Sequence, residues 1–207
     1  MIAWSGIFHI MATPFTDAGD LDTAGLPRLV EAALATGVTG LTILGIAGEA
    51  HRLTDEERRR VVDATVKEVR GRVPVAVGVS ASGTHLAAAF TRMAQDHGAD
   101  ALMVAPPAGL KNLDAVADYF LAVADAARVP LVLQDEPVTT QVFLPAPFVT
   151  RASAARSRGS RRSSSRKRPR CRRSLACASS SRRPWRSSAG WAACTSSRSS
   201  RAARTGP

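Results

Sequence analysis

The chain has 207 residues, a formal charge of +11 and 45% hydrophobic residues, a total that hides a boundary near Thr150. Residues 1–150 hold 11 Lys/Arg and all 17 Asp/Glu, a net of −6, whereas residues 151–207 hold 17 Lys/Arg and no acid. That final stretch is rich in serine, holds all three cysteines (Cys171, Cys177, Cys194) and has almost no aliphatic side chains. It cannot bury enough apolar area to offset the entropy of folding and reads as a disordered basic tail. No apolar run reaches the length of a membrane span, and Met1–Ala12 lacks the charged start of a signal peptide. Residues 1–150 therefore read as one cytoplasmic, disulfide-free domain.

Strand and helix alternate along that domain. Gly6–Ala12 reads as a buried strand closed by Thr13-Pro14-Phe15, and Asp17–Asp20 as a turn. Asp22 or Thr23 caps a helix with Leu26, Leu29, Val30, Ala33 and Leu34 at helical spacing, which Gly37 ends. Gly40–Gly45 is the second strand. Thr54 and Glu57 form a capping box opening a helix to about Arg70, with Val61, Val62, Ala64, Thr65 and Val69 as its inward stripe. Pro74–Ser80, Ala101–Ala105 and Pro130–Gln134 are further strands. Helices over Gly83–Gly98 and from Asn112 or Asp114 to Arg128 separate them, and another begins at Pro145. Strict alternation with apolar strands implies a parallel sheet covered by helices. Five successive units without G-x-G-x-x-G favour a (β/α)8 TIM barrel over a dinucleotide-binding sheet.

The most informative stretch is Leu41–Ala50, where a short apolar run ends in Gly45-Ile46-Ala47-Gly48-Glu49. Ligands in parallel α/β proteins bind at the carboxyl ends of strands. Two glycines there either let backbone N–H groups approach a small anion or merely make a tight turn. Glu49 orients the loop. Among the other candidates, His9 reads as a core or barrel-layer residue, His51 lies beside the loop, and His85 and His97 sit at helix ends. Asp135 and Glu136 form a carboxylate pair at a strand's carboxyl end, with side chains pointing oppositely. No cluster has metal-ligand spacing, the tail cysteines included, so no metal or cofactor is expected.

Ala12-Thr-Pro-Phe15, Gly45-x-x-Gly48-Glu49, Leu53-Thr-x-Glu-Glu57-Arg58, Gly78-Val79, His97-Gly-Ala-Asp100 and Gln134-Asp-Glu-Pro137 together resemble the dihydrodipicolinate synthase / N-acetylneuraminate lyase family over residues 4–150. The resemblance implies a (β/α)8 barrel, usually a homotetramer, and a Schiff-base lyase or aldolase acting on pyruvate or a related 2-oxo acid. Its lysine stands on the sixth strand. It implies that Gly45, Ile46, Ala47, Gly48 and Glu49 hold the substrate carboxylate. The family pattern has hydroxyls where Ile46 and Ala47 stand, a proton-relaying tyrosine where Gln134 stands, an arginine at the place of Thr139 and an aromatic pair at Pro107-Ala108. An amide has no usable pKa for general acid–base work, so these departures point to another substrate than that of dihydrodipicolinate synthesis. The only lysines are Lys67, at a helix end, Lys111, in a loop, and Lys167, in the tail. The chain thus reads as about five of eight barrel units, without the Schiff-base lysine and inactive. A non-catalytic 2-oxo-acid binding module is the alternative.

The acid-free Arg/Ser/Ala/Pro tail has the composition of GC-rich DNA read out of frame. Joining the last base of each codon to the first two of the next makes the Trp191/Ala192 junction glycine, because tryptophan has one codon. Its neighbours allow Gly-Leu-Gly-Gly-Met-Tyr, followed from Thr195 by Leu-Leu-Glu-Glu-Leu-Glu-Ser-Gly-Ala-Asp-Gly, an acidic amphipathic helix ending in glycine. Upstream, the Arg161/Arg162 junction can be read as lysine and the next two as Leu-Glu, with Thr-Pro-Pro across Lys167 to Arg170. A one-base shift near residues 150–155 is therefore the expected origin of the tail. The rival is a genuine basic extension binding nucleic-acid phosphates. Trp185 and Trp191 are too sparse for a stacking platform, which weighs against it.

Overall fold

The computed structural model describes residues 4–150 and the backbone of Ala193–Thr195. Five β/α units follow one another: β1 (Phe8–Ile10), α1 (Gly25–Ala35), β2 (Gly40–Ile43), α2 (Asp55–Val69), β3 (Val75–Gly78), α3 (Thr84–Asp96), β4 (Ala101–Val104), α4 (Leu113–Ala126), β5 (Leu131–Asp135) and the short α5 (Pro137–Thr140). The strands lie in sequence order and every pair is parallel. Unbroken sequential order distinguishes a barrel segment from a doubly wound sheet, whose strand order reverses at a switch point. The backbone of Ala193–Thr195 adds a short β6 parallel to β5. The half-barrel is the expected fold. The rest of the expected tail lies outside the described residues.

Period-two alternation divides the strands between two faces. Leu41, Ile43, Val75, Val77, Leu102, Val104, Leu131 and Leu133 join one buried cluster with the helices. Thr42, Ala76, Met103, Val132 and Gln134 fall on the opposite, concave face. On the helix side Phe120 is fully buried and packs against Tyr119 and Phe148. Arg58 is buried with its guanidinium 4.2 Å from the Phe90 ring centre, a cation–π contact joining α2 to α3. Among the described residues no helix is long and apolar enough to cross a membrane.

Helix ends follow the sequence closely. The Thr54 hydroxyl accepts from the Glu57 N–H while the Glu57 carboxylate accepts from the Thr54 N–H, completing the capping box of α2. Thr54→Ala is expected to lower stability by about 1 kcal/mol in urea denaturation, with Glu57 left without its reciprocal partner. Asn112 caps α4 through the Asp114 and Ala115 N–H groups. Asp22 accepts from Gly25 N–H at 2.8 Å, although Ala24 is the residue at the N-cap of α1.

The expectations for the first strand and helix fail in part. The run Gly6–Ala12 contributes only Phe8–Ile10 to the sheet, and these are partly or fully exposed, with Ile10 at 46%. His9, expected in a barrel layer, is exposed. Leu29, expected on the inward stripe of α1, is 39% exposed. Among the described residues β1 has β2 on one side and no strand on the other, so its far edge and the adjoining face of α1 lack cover.

Candidate functional site

The carboxyl ends of β1 to β4 converge on the loop Leu44–Glu49, and its backbone is unusual. Leu44 and Glu49 both adopt positive φ, +54° and +48°, a conformation that costs a non-glycine residue about 1–3 kcal/mol. Such strain persists only where the surroundings dictate it. Here they do. The Thr13 hydroxyl donates to the Gly48 carbonyl at 2.7 Å, and a Cβ at Gly48 would lie 3.3 Å from the Met11 carbonyl oxygen. A Cβ at Gly78 would lie 1.9 Å from the Leu44 carbonyl oxygen. Only glycine lets the end of β3 lie this close to the turn.

Ile46–Gly48 forms a single 3-10 turn in which Gly48 N–H donates to Gly45 O and Glu49 N–H to Ile46 O. The N–H groups of Ile46 and Ala47 open that turn and have no acceptor within it. Ile46 is half-buried, Ala47 is exposed, and Gly45 and Gly48 are buried. Glu49 pairs with Arg52 at 3.1 Å on the outside of the loop. The loop therefore offers two main-chain donors.

Met103 and Ile10, which sequence reasoning did not single out, reach the base of this loop. Met103 Cε and Ile10 Cγ2 lie 3.2 and 3.5 Å from where a Gly45 side chain would begin. Alternation along β4 carries the signal for Met103, since Leu102 and Val104 face the helices. The neighbouring loop is pinned as well. The Tyr119 hydroxyl accepts from Ala81 N–H and donates to Ala81 O, each at 3.1 Å, while the Ser80 hydroxyl accepts from Ala105 N–H at 2.9 Å.

Gln134 lies on the concave face of β5 and is half-buried. Asp135 points the other way and is 5% exposed. Burial raises its carboxyl above the usual aspartate range, a hydrogen bond from the Leu144 backbone opposes that, and Glu136 adds to the rise. Its Oδ1 has no partner. Glu136 is occupied as a cap, accepting from Thr139 N–H at 2.8 Å. The two carboxylates are thus separated, with structural duties. An unfolded Asp135 ionises more readily than the folded one, so its cost is absent below the ordinary aspartate pKa, grows as pH rises from there to the folded pKa and is fully present above it. Asp135→Asn is expected to raise stability at pH 7 by about 1 kcal/mol and to change little at pH 3, by urea denaturation at both. Equal effects at the two pH values would contradict this.

The remaining candidates lie apart from the loop or in solvent. His51 and His85 are exposed, and His97 pairs with Asp63 between α3 and α2. Lys67 on α2 and Lys111 before α4 are both exposed, and neither belongs to a strand. Lys167 and the three cysteines lie outside the described side chains. Among the described residues no group of three His, Cys, Asp or Glu is placed to hold a metal ion.

A run of parallel β/α units with a strained, glycine-packed loop at the strands' carboxyl ends defines the binding end of a β/α-barrel protein. Residues 3–156 match the model of the dihydrodipicolinate synthetase family, and the chain belongs to that family. It is 40% identical over 136 residues to the 4-hydroxy-tetrahydrodipicolinate synthase of Salinibacter ruber, covering 65% of this chain and 45% of that protein. It is 35% identical over 147 residues to an uncharacterized DapA-like lyase of Rhizobium meliloti, 70% of this chain and 49% of the other. Among solved structures, YagE of Escherichia coli K12, a dihydrodipicolinic acid synthase family protein in complex with pyruvate, superposes with a TM-score of 0.71 at 32% identity. That match covers 74% of this chain and 52% of YagE. The chain spans about half the length of the curated relatives it matches.

Proposed function

We propose that residues 4–150 carry the carboxylate-binding half of a 2-oxo-acid site. The single observation behind this reading is the loop Gly45–Glu49, held strained by Thr13, Gly48 and Gly78 with the Ile46 and Ala47 N–H groups unclaimed by its own turn. A carboxylate is the anion such a pair of main-chain donors fits, and each charge-assisted hydrogen bond is stronger than a neutral one. Pyruvate in the related YagE supports the substrate class. With Ile46 and Ala47 in place of hydroxyls, only the backbone holds the carboxylate. Gln134 orients the substrate and moves no proton. The substrate is therefore a 2-oxo acid processed without a tyrosine relay, and dihydrodipicolinate synthesis itself is not assigned.

The whole family's reaction is a lyase or aldolase step through a Schiff base. A lysine amine condenses with the keto carbon, water leaves, and the protonated imine accepts electrons from the bond being broken. That lysine belongs on a sixth strand, where neither Lys67 nor Lys111 stands, so the described residues supply no imine-forming amine. The chain needs no cofactor, and a cytoplasmic setting agrees with the lack of cysteine in residues 1–150. The family's homotetramer is the assembly of a closed barrel, not of this chain. Titration with pyruvate is expected to shift the Ile46 and Ala47 amide resonances saturably and to leave those of α3 unmoved. An unshifted loop at saturating pyruvate contradicts the reading.

A further inference from the structure

The half-barrel has an uncovered face of definite shape. A groove of about 270 Å³ runs between the β1 segment (His9, Met11, Ala12) and α1 (Leu29, Ala32, Ala33). Beside it Ile7 is 69% and Ile10 46% exposed. A barrel of this kind closes when an eighth strand pairs with the first, and its helix then packs beside the first helix. The groove lies where that last unit belongs. At the other edge, β1 to β5 begin at Phe8, Gly40, Val75, Ala101 and Leu131, but β6 begins only at Ala193. The last interval is twice the earlier repeat. Continued at that repeat, the unit next to β5 begins between positions 157 and 166.

Resting on the family assignment, we propose that codons 151–207, read from the third base of each, encode the sixth and seventh units next to β5, and that the same frame continued past codon 207 encodes the eighth, the occupant of this face. Three observations converge. The family match ends at residue 156, just past Arg151, where the run of arginine and serine begins. The 149 residues matched to the 4-hydroxy-tetrahydrodipicolinate synthase of Methanothrix thermoacetophila are 50% of it, so as much again lies outside the match, enough for three more units. The shifted codons also admit a strand-like run in the expected interval. From the Arg156/Ser157 junction they admit Val-Pro-Gly-Val-Ala-Ala-Val-Lys-Leu-Glu-Glu, followed by Thr-Pro-Pro through Pro169/Arg170. This corrects the register expected from the sequence. A lysine at Arg161/Arg162 requires AGA or AGG for Arg162, and a third base of A or G excludes leucine next. Placing lysine at Ser163/Ser164, as TCA-AGC, satisfies every neighbouring codon. Further on, Leu-Leu-Glu-Glu-Leu-Glu-Ser-Gly sets leucines at i, i+1 and i+4, one helical face, with a glycine stop. The loss of one base between codons 150 and 156 converts that polypeptide into the Arg/Ser tail.

The nucleotide sequence of the locus and its transcript is the first test. The shifted frame is expected to be free of stop codons from codon 151 to 207 and to stay open beyond it, as far as the unmatched half of the Methanothrix relative extends. A genomic read carrying the additional base supports the proposal too. A stop in the shifted frame before codon 207 overturns it. The second test compares amide exchange at Phe8–Ile10 in this chain and in the chain with one base restored. The restored chain is expected to exchange there at least about tenfold more slowly, as a covered strand does. Equal exchange overturns the docking. Protection of β1 is independent of imine formation, so a restored barrel that is protected but does not trap pyruvate contradicts only the proposed reaction.

Discussion

Gly78→Ala is expected to destabilise the chain by about 2–3 kcal/mol and to abolish the pyruvate response of Ile46 and Ala47. Its methyl group would lie 1.9 Å from the Leu44 carbonyl oxygen and 2.6 Å from the Leu44 carbonyl carbon, both main-chain atoms. The clash cannot be relieved by rotating a side chain. Either β3 moves from β2 or Leu44 leaves its left-handed conformation, and overpacking of this kind typically costs about 1–3 kcal/mol. Because Leu44 sets the direction of Gly45–Glu49, the second route dismantles the donor pair. Gly45→Ala is the matched comparison. Its methyl group meets only Met103 Cε at 3.2 Å and Ile10 Cγ2 at 3.5 Å, side-chain ends that can yield, and its φ of −78° suits any residue. A cost below about 1 kcal/mol is expected there. Urea denaturation of both variants checks the order. Gly45→Ala costing more than Gly78→Ala would contradict the account of the loop.

The contrast also marks what the sequence could and could not convey. Gly45 and Gly48 announce themselves by their spacing after an apolar run. Gly78 sits inside Pro74–Ser80, which reads as continuous strand, and its necessity arises from Leu44, on the far side of α2 in the chain. Local signals transfer well. The Thr54–Glu57 capping box, the Asn112 cap and the positive φ of Gly37 are set by residues within a few positions. The order of the five units follows from alternation, since a parallel pair needs a crossover between its strands.

Long-range cover is what sequence pattern lacks. Gly6–Ala12 has the composition of a buried strand, and Leu29 has helical inward spacing. Ile7, Ile10 and Leu29 are exposed here because among the described residues no strand lies beyond β1. Asp135 and Glu136 look alike as a pair of acids, yet alternation buries one against Leu144 and leaves the other to cap a turn. Met103 is an ordinary apolar residue in sequence and becomes part of the site only through the approach of β4 to Gly45.

The second large effect expected is an absence of chemistry. A lysine that forms an imine must project from a strand into the concave face near the carboxylate cradle, with its amine deprotonated and shielded from water. Lys67 and Lys111 are exposed, on the outer helix α2 and in the loop before α4, so neither meets these requirements. The central claim is therefore a site with its carboxylate cradle and, among the described residues, without its amine. Its most direct test is borohydride reduction of this chain in excess pyruvate, read by intact mass and peptide mapping. The account predicts an unchanged mass, with the Ile46 and Ala47 amides still responding to pyruvate. A stoichiometric reduced adduct on Lys67, Lys111 or Lys167 would contradict it.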